Sequence, residues 1–288
     1  MNHPDGGATA TAQAVAGIGG IRTALPRGCA VAYGLHMDFA AKGITGKTAL
    51  ITGATSGIGK ATALALGRFG AYVIVSGRDD ARGEAVVDAI LSAGGEAHFI
   101  KADLGNSASA HELARRALAL CGGQIDILVN NAAVFPFGLT SEMTDELFDA
   151  VYATNVKAPF ILVGELAPKM AERGKGAIVN VSAMVATFGQ AGMALYGSSK
   201  AALSLLTKAW AAEFGRKGVR VNAVSPGPTL TEGTEGMGDG LAQLAAMAPA
   251  GRPASVDEIA DAIVYLASDR ASFVQGVVMP VDGGRVAV

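Results

Sequence analysis

The sequence predicts a doubly wound α/β fold around a mostly parallel sheet, and three observations carry that prediction. Short β-rich runs alternate with amphipathic helical stretches from Lys47 onward, and such alternation builds right-handed βαβ units with helices on both faces. The runs Ile125-Asp126-Ile127-Leu128-Val129 and Ala177-Ile178-Val179 are almost continuously apolar, as strands covered on both sides require. A glycine-rich turn, Thr52-Gly53-Ala54-Thr55-Ser56-Gly57-Ile58-Gly59, links the first strand to the first helix.

In chain order, strands are expected at Thr48–Thr52, Tyr72–Ser76, Ala97–Lys101, Ile125–Asn130, Ala177–Ser182, Arg220–Val224 and Val277–Val281. Helical patterns fill the gaps at Lys60–Phe69, Ala81–Ala93, Ser107–Leu120, Asp145–Arg173, Leu195–Arg216 and Val256–Ala267. No linker or repeat interrupts them, so residues 38–288 read as one domain. The Gly-rich stretch near 231–248 follows a strand end and runs into a short helix. It reads as a surface loop or as a lid over a substrate site.

Composition narrows the function. The 288 residues carry a formal net charge of −2 and 17% charged residues, which offers no basic footprint for nucleic acid. No apolar run reaches the ~18 residues that span a bilayer. Cys29 and Cys121 are too few for a disulfide framework, which points to a reducing, cytoplasmic setting. Neither cysteine has His or Cys neighbours at metal-ligand spacing, so no metal site is read. Residues 1–37 are rich in Ala, Gly and Thr without periodicity, and are expected to form a disordered or loosely attached extension. Gly17-Ile18-Gly19-Gly20 within it follows no strand and has Arg22 in the third glycine's place, so it is not a nucleotide fingerprint.

Chemistry enters at two places. In the strand–turn–helix context, Gly53 permits the tight turn, Gly57 lets a pyrophosphate approach the backbone, and Gly59 allows close helix packing. The helix start then presents free N–H groups to phosphates. Downstream, Tyr196 and Lys200 stand four residues apart at the start of a long helical pattern, on one face and about 5–6 Å apart at Cβ. A phenol titrates near ~10 and is a poor base at neutral pH. A neighbouring ammonium is expected to lower that value and make Tyr196 a usable proton donor and acceptor.

Thr52-Gly53-x-x-x-Gly57-x-Gly59, Asn130-Asn131-Ala132-Ala133, Asn155, Tyr196-x-x-x-Lys200 and Pro226-Gly227 occur in this order. Together they resemble the short-chain dehydrogenase/reductase family over residues 45–288. The resemblance implies a single Rossmann-type sheet of seven strands and hydride transfer between nicotinamide and a secondary alcohol or ketone. It implies Tyr196 as the proton shuttle, Lys200 on the ribose hydroxyls, and Asn155 supporting a water chain. By the same resemblance the cofactor contacts extend over Thr52, Gly53, Thr55, Ser56, Gly57, Ile58 and Gly59, with Asp103 on the adenine amine beside Leu104. Asn130 is expected to brace the strand next to the adenosine, with Ala132 alongside. Pro226, Gly227 and the stretch Thr229–Thr231 should hold the carboxamide. Ala133 takes the family's fourth-position glycine. A homotetramer or homodimer is also implied.

NADP(H) is expected over NAD(H), although NAD(H) is possible. Gly77 stands where an acidic residue would accept from a ribose 2′-hydroxyl, and Arg78 beside it offers a charge-assisted fork for a 2′-phosphate. The alternative is that Arg78 merely pairs with Asp79 or Asp80. Ser56 supplies no second basic contact.

The family's serine lies thirteen positions before the tyrosine, and here that position is Ala183. Ser182 is one residue earlier, and adjacent strand residues point to opposite faces, so it cannot stand in without a bulge. Loss of one oxyanion donor can cost about 10²–10³ in rate. Three outcomes stay open: a slow enzyme, a recruited donor, or loss of ordinary carbonyl reduction. Phe135, Phe137, Met184, Phe188, Met193 and Met237 fall near the expected mouth and suggest an apolar or bulky small-molecule substrate, though each could be core. A catalytically weakened, nucleotide-binding regulatory protein is the alternative function.

Overall fold

Seven strands, all parallel to their neighbours, form one sheet. They are β1 (Thr48–Thr52), β2 (Tyr72–Gly77), β3 (Glu96–Lys101), β4 (Ile127–Asn130), β5 (Gly176–Val181), β6 (Val219–Pro226) and β7 (Val278–Val281). Their order is β3-β2-β1-β4-β5-β6-β7. The computed structural model describes residues 42–288, so the expected extension over residues 1–37 lies outside the described residues.

The continuous apolar runs divide by strand alternation between two cores. Ile51, Val73, Val75, Val129 and Val179 pack on one face under helices α1 (Gly57–Arg68), α2 (Asp80–Ser92) and α8 (Val256–Ala267). Leu50, Ile74, Leu128 and Ile178 pack on the other, under α3 (Ser107–Leu120), α5 (Ala158–Glu172) and α6 (Ala194–Phe214). Asp126 falls outside β4. Its buried carboxylate accepts from the Thr48 amide at 3.0 Å and lies 3.7 Å from Arg173, pinning the lower end of the sheet.

Helix starts follow their caps. Asp79 accepts from the Arg82 amide, Asn106 from the amides of Ala108 and Ser109, and Thr144 from Leu147. Ser255 and Glu258 form a reciprocal capping box on α8.

The long helix expected over Asp145–Arg173 is a correction. It divides into α4 (Asp145–Tyr152), a π-helical turn at Ala153–Lys157, and α5. Pro159 has no N–H for the Asn155 carbonyl one turn earlier, and the widened turn accommodates that gap while burying Thr154 and Asn155. Near 231–248 the chain forms a short turn at Glu235–Met237 and then α7 (Asp239–Ala246).

Candidate active site

The order β3-β2-β1-β4 means the chain leaves β1 in one direction and returns at β4 in the other. A crevice opens at the carboxyl ends of these strands, where doubly wound sheets bind ligands. A cavity of about 470 Å³ occupies it.

The glycine turn forms one wall, and its glycines are required by contact. A Cβ on Gly59 would lie 2.3 Å from the Gly53 carbonyl oxygen, and one on Gly53 would lie 2.8 Å from Ala132 Cα. Gly57 has φ +51° and is the first residue of α1. Thr55, Ser56 and Ile58 join Gly53 and Gly57 along this wall. Thr52 and Gly59 sit behind it. Thr52 Oγ1 accepts from the amides of Asn131 and Ala132 at 3.0 and 3.1 Å and ties β1 to the end of β4.

Arg78, Asp103 and Leu104 line the far end of the crevice, while Ala132, Pro226, Gly227, Thr229 and Thr231 line its middle. Asp103 Oδ1 accepts from the Gly105 amide at 3.1 Å. Gly227 is pressed from behind, where a Cβ would stand 2.7 Å from Asp282 Cα. Asn130 is not brought into the cleft: its amide donates to Asn180 Oδ1 at 2.9 Å inside the core, and Asn131 lines the cleft instead. The pairing of Arg78 with Asp79 or Asp80 does not occur among the described residues. Asp79 is engaged by Arg82 at 3.1 Å and Asp80 by Lys101.

Tyr196 and Lys200 share the opposite wall with Ala183, Met184, Phe135 and Met193. The Phe135 ring meets the Tyr196 ring edge-on at 6.3 Å. Lys200, only 1% exposed, donates from Nζ to the Val181 carbonyl at 2.7 Å and sits 5.8 Å from the Tyr196 ring centroid. Burial pushes the phenol up and the ammonium down to about 7. Both shifts favour uncharged groups, so in this cleft the pair holds the phenol proton rather than releasing it. Burial is the cause of both shifts.

Asn155 stands outside the cleft lining. Its side chain closes a pair of bonds with Val134, accepting from the amide at 2.8 Å and donating to the carbonyl at 2.9 Å, and it also donates to Ser199 Oγ at 3.0 Å. It thereby fixes the loop after β4 against α6.

Ala183 faces the cleft at an extended residue, φ −161° and ψ 153°. The ladder continues without a bulge through the Ser182 amide, which donates to Val224. Ser182 Oγ is turned into α6, 3.2 Å from the Lys200 carbonyl and 2.7 Å from Ser204 Oγ. It is therefore not a replacement donor. Phe188 packs beside the Ala183–Val185 cluster rather than in the cleft, and Phe137 is largely exposed, whereas Met237 lines the cleft.

Several lining residues had no sequence signal: Arg82 at the Arg78 end, and Val185, Glu232, Leu241 and Leu244 at the mouth. Arg82 lies in the first turn of α2, and Arg78 precedes that helix. Position 77 is closed as well as small, since a Cβ there would fall 2.4 Å from Thr55 Cγ2.

The residues fit a dinucleotide, because a side-chain-free turn at Gly53 and Gly57 lines the cleft and leads into the start of α1. A family model described as enoyl-(acyl carrier protein) reductase matches residues 53–285. A 3-oxoacyl-(acyl-carrier-protein) reductase of Thermotoga maritima is 36% identical over 244 residues, covering 84% of this chain and 99% of its own. A solved short chain dehydrogenase/reductase family protein is 45% identical with a TM-score of 0.79, covering 85% and 99% of the two chains. A provisionally named NAD(P)-dependent gluconate 5-dehydrogenase of Beutenbergia cavernae, solved with NADP at low occupancy, is 37% identical. Its TM-score is 0.81, with 85% and 99% covered. With glycine turn, Tyr196 and Lys200 gathered at one switch-point crevice, this chain belongs to the short-chain dehydrogenase/reductase family of oxidoreductases.

Proposed function

We propose that the protein interconverts a secondary alcohol and a ketone with NADP(H), and that Tyr196 gives or takes the hydroxyl proton. The carrying observation is that Tyr196 and Lys200 line the same 470 Å³ cavity as Gly53, Gly57 and Ile58. The nicotinamide, when bound, exchanges a hydride with the substrate carbon. In reduction, the Tyr196 hydroxyl donates its proton to the carbonyl oxygen that gains charge. Burial keeps that proton on the phenol at neutral pH, which suits this direction. Lys200 is held in place by Val181 and would meet the ribose hydroxyls, and Asn155 keeps α6 and the Val134 loop in register.

Preference for NADP(H) is supported by Arg78, which has no ion pair among the described residues, and by Arg82 beside it at the same end. Thr55 fills the space an acidic side chain at position 77 would need. The mouth is formed by Phe135, Met184, Met193, Met237, Leu241 and Leu244, which favours an apolar or bulky ketone. The segment from Thr231 through α7 would act as its lid. The comparisons lend no support to a non-catalytic role.

A ketone panel with NADPH and NADH tests the proposal. NADPH oxidation with a higher kcat/KM than NADH, lost in Tyr196→Phe, is expected. Equal use of both cofactors would remove the NADP(H) assignment, and an active Tyr196→Phe would remove Tyr196 as the proton donor. We also propose a homo-oligomer, since Phe148, Phe160 and Leu205 are 49%, 56% and 68% exposed on α4, α5 and α6. Light scattering that gave a monomer mass would overturn this. A cytoplasmic location completes the proposal.

A further inference from the structure

A carboxylate from the lid segment reaches the glycine turn. Glu232 Oε2 accepts a hydrogen bond from the Gly57 amide at 2.8 Å, across 175 positions of sequence. Gly57 opens α1, where Ser56 makes no side-chain cap and the first turn has no acidic residue of its own. The first amides of a helix lack internal partners and carry the positive end of its dipole. Glu232 therefore supplies, from outside, the anion that this turn is built to receive.

The contact is organised rather than incidental. The Thr231 amide donates to Thr234 Oγ1 at 3.0 Å, and Thr234 Oγ1 donates to the Thr229 carbonyl at 2.8 Å, so the chain carrying Glu232 is a preformed turn. Thr231 packs against the same glycine, since a Cβ on Gly57 would lie 3.3 Å from Thr231 Cγ2. On the other side, a Cβ on Gly233 would meet the Phe135 ring at 2.9 Å. The turn thus bridges the glycine loop and the substrate mouth.

We propose that Glu232 is an internal stand-in for the dinucleotide's diphosphate, latching the lid onto the glycine turn until cofactor enters. The inference rests on the cofactor reading above. Diphosphate and carboxylate both require the amides at the start of α1, and like charges at contact distance repel even across water. Cofactor entry therefore breaks the Glu232–Gly57 bond. The segment bearing Met237, Leu241 and Leu244 is then released to reset around substrate.

The test uses the full-length protein without substrate. NADPH and NADH are titrated by fluorescence against the parent, Glu232→Gln and Glu232→Ala, and amide hydrogen exchange is followed over residues 231–246. A carboxylate at a helix start is worth a factor of about two to five. Both variants should therefore bind the preferred dinucleotide at least about twofold more tightly. Lid amides should exchange faster on cofactor binding in the parent and already be fast in Glu232→Ala before it. Affinity unchanged or weakened in both variants, with lid exchange insensitive to cofactor, overturns the latch and leaves the cofactor reading intact. No dinucleotide binding by parent or variants overturns the cofactor reading and the latch together.

Discussion

Ser182 Oγ and Ser204 Oγ lie 2.7 Å apart inside the junction of β5 with α6. That pairing engages the Ser182 hydroxyl within the junction and leaves a methyl group, Ala183, on the cleft wall where a donor to the reacting oxygen would stand. Ala183→Ser should therefore raise kcat for ketone reduction by about tenfold or more, up to the roughly 10²–10³ of a well-placed oxyanion donor. KM should change little, since the new bond strengthens as charge develops. Unchanged steady-state kcat with a good substrate would show that this position does not limit turnover.

Thr55 and Gly77 are interlocked, and cofactor preference should respond to both. Gly77→Asp alone places a side chain 2.4 Å from Thr55 Cγ2, so NADPH use should fall without a gain in NADH use. Adding Thr55→Ala removes the obstructing methyl, and the double variant should shift the kcat/KM ratio toward NADH by at least tenfold. If the single variant already used NADH well, the steric account would be wrong.

Lys200 makes stability depend on pH. Its folded pKa of about 7 lies below the unfolded value, which is about 10.4. Between these values the unfolded chain binds more protons, so stability rises with pH across that window and is flat below it. Lys200→Met should abolish this contribution. Urea unfolding of the cofactor-free protein between pH 7 and 9.5 reads the difference below the range where Tyr196 and other phenols titrate. Parallel pH slopes for parent and variant would contradict a buried, readily neutralised amine.

The capping box at α8 gives a simpler measurement. Ser255 Oγ accepts from the Glu258 amide at 3.2 Å, and Ile259, Ile263 and Leu266 of this helix are fully buried. Ser255→Ala should cost about 1 kcal/mol in urea-derived stability without altering cofactor affinity. A loss under about 0.5 kcal/mol, the lower bound for such caps, would mean that packing alone sets the start of α8.

The strands were legible because each is a short apolar run that both cores claim, and their observed ends differ from expectation by a residue or two. Asp126 marked one such error: its carboxylate serves the Thr48 amide and Arg173 instead of extending β4. The π-helical turn was not legible from periodicity, since one surplus residue hardly alters an apolar stripe. Pro159 was the available sign. Motif spacing singled out Tyr196, Lys200 and the glycine turn, which share the cleft. It could not separate Asn130 from Asn131, whose roles depend on which face of the strand end meets β5. Desolvation of Tyr196 and Lys200 arises from many surrounding atoms at once, so a pairwise reading of two spaced residues does not contain it. The Glu232–Gly57 contact joins segments far apart in sequence and has no local signature.

The close approach of Asp282 to Gly227 has a practical side. Asp282 itself is anchored by accepting from the amides of Gly284 and Val286, so the segment after β7 buttresses the turn at Gly227. Replacing Asp282 by alanine would remove both of these bonds and loosen the support behind Gly227.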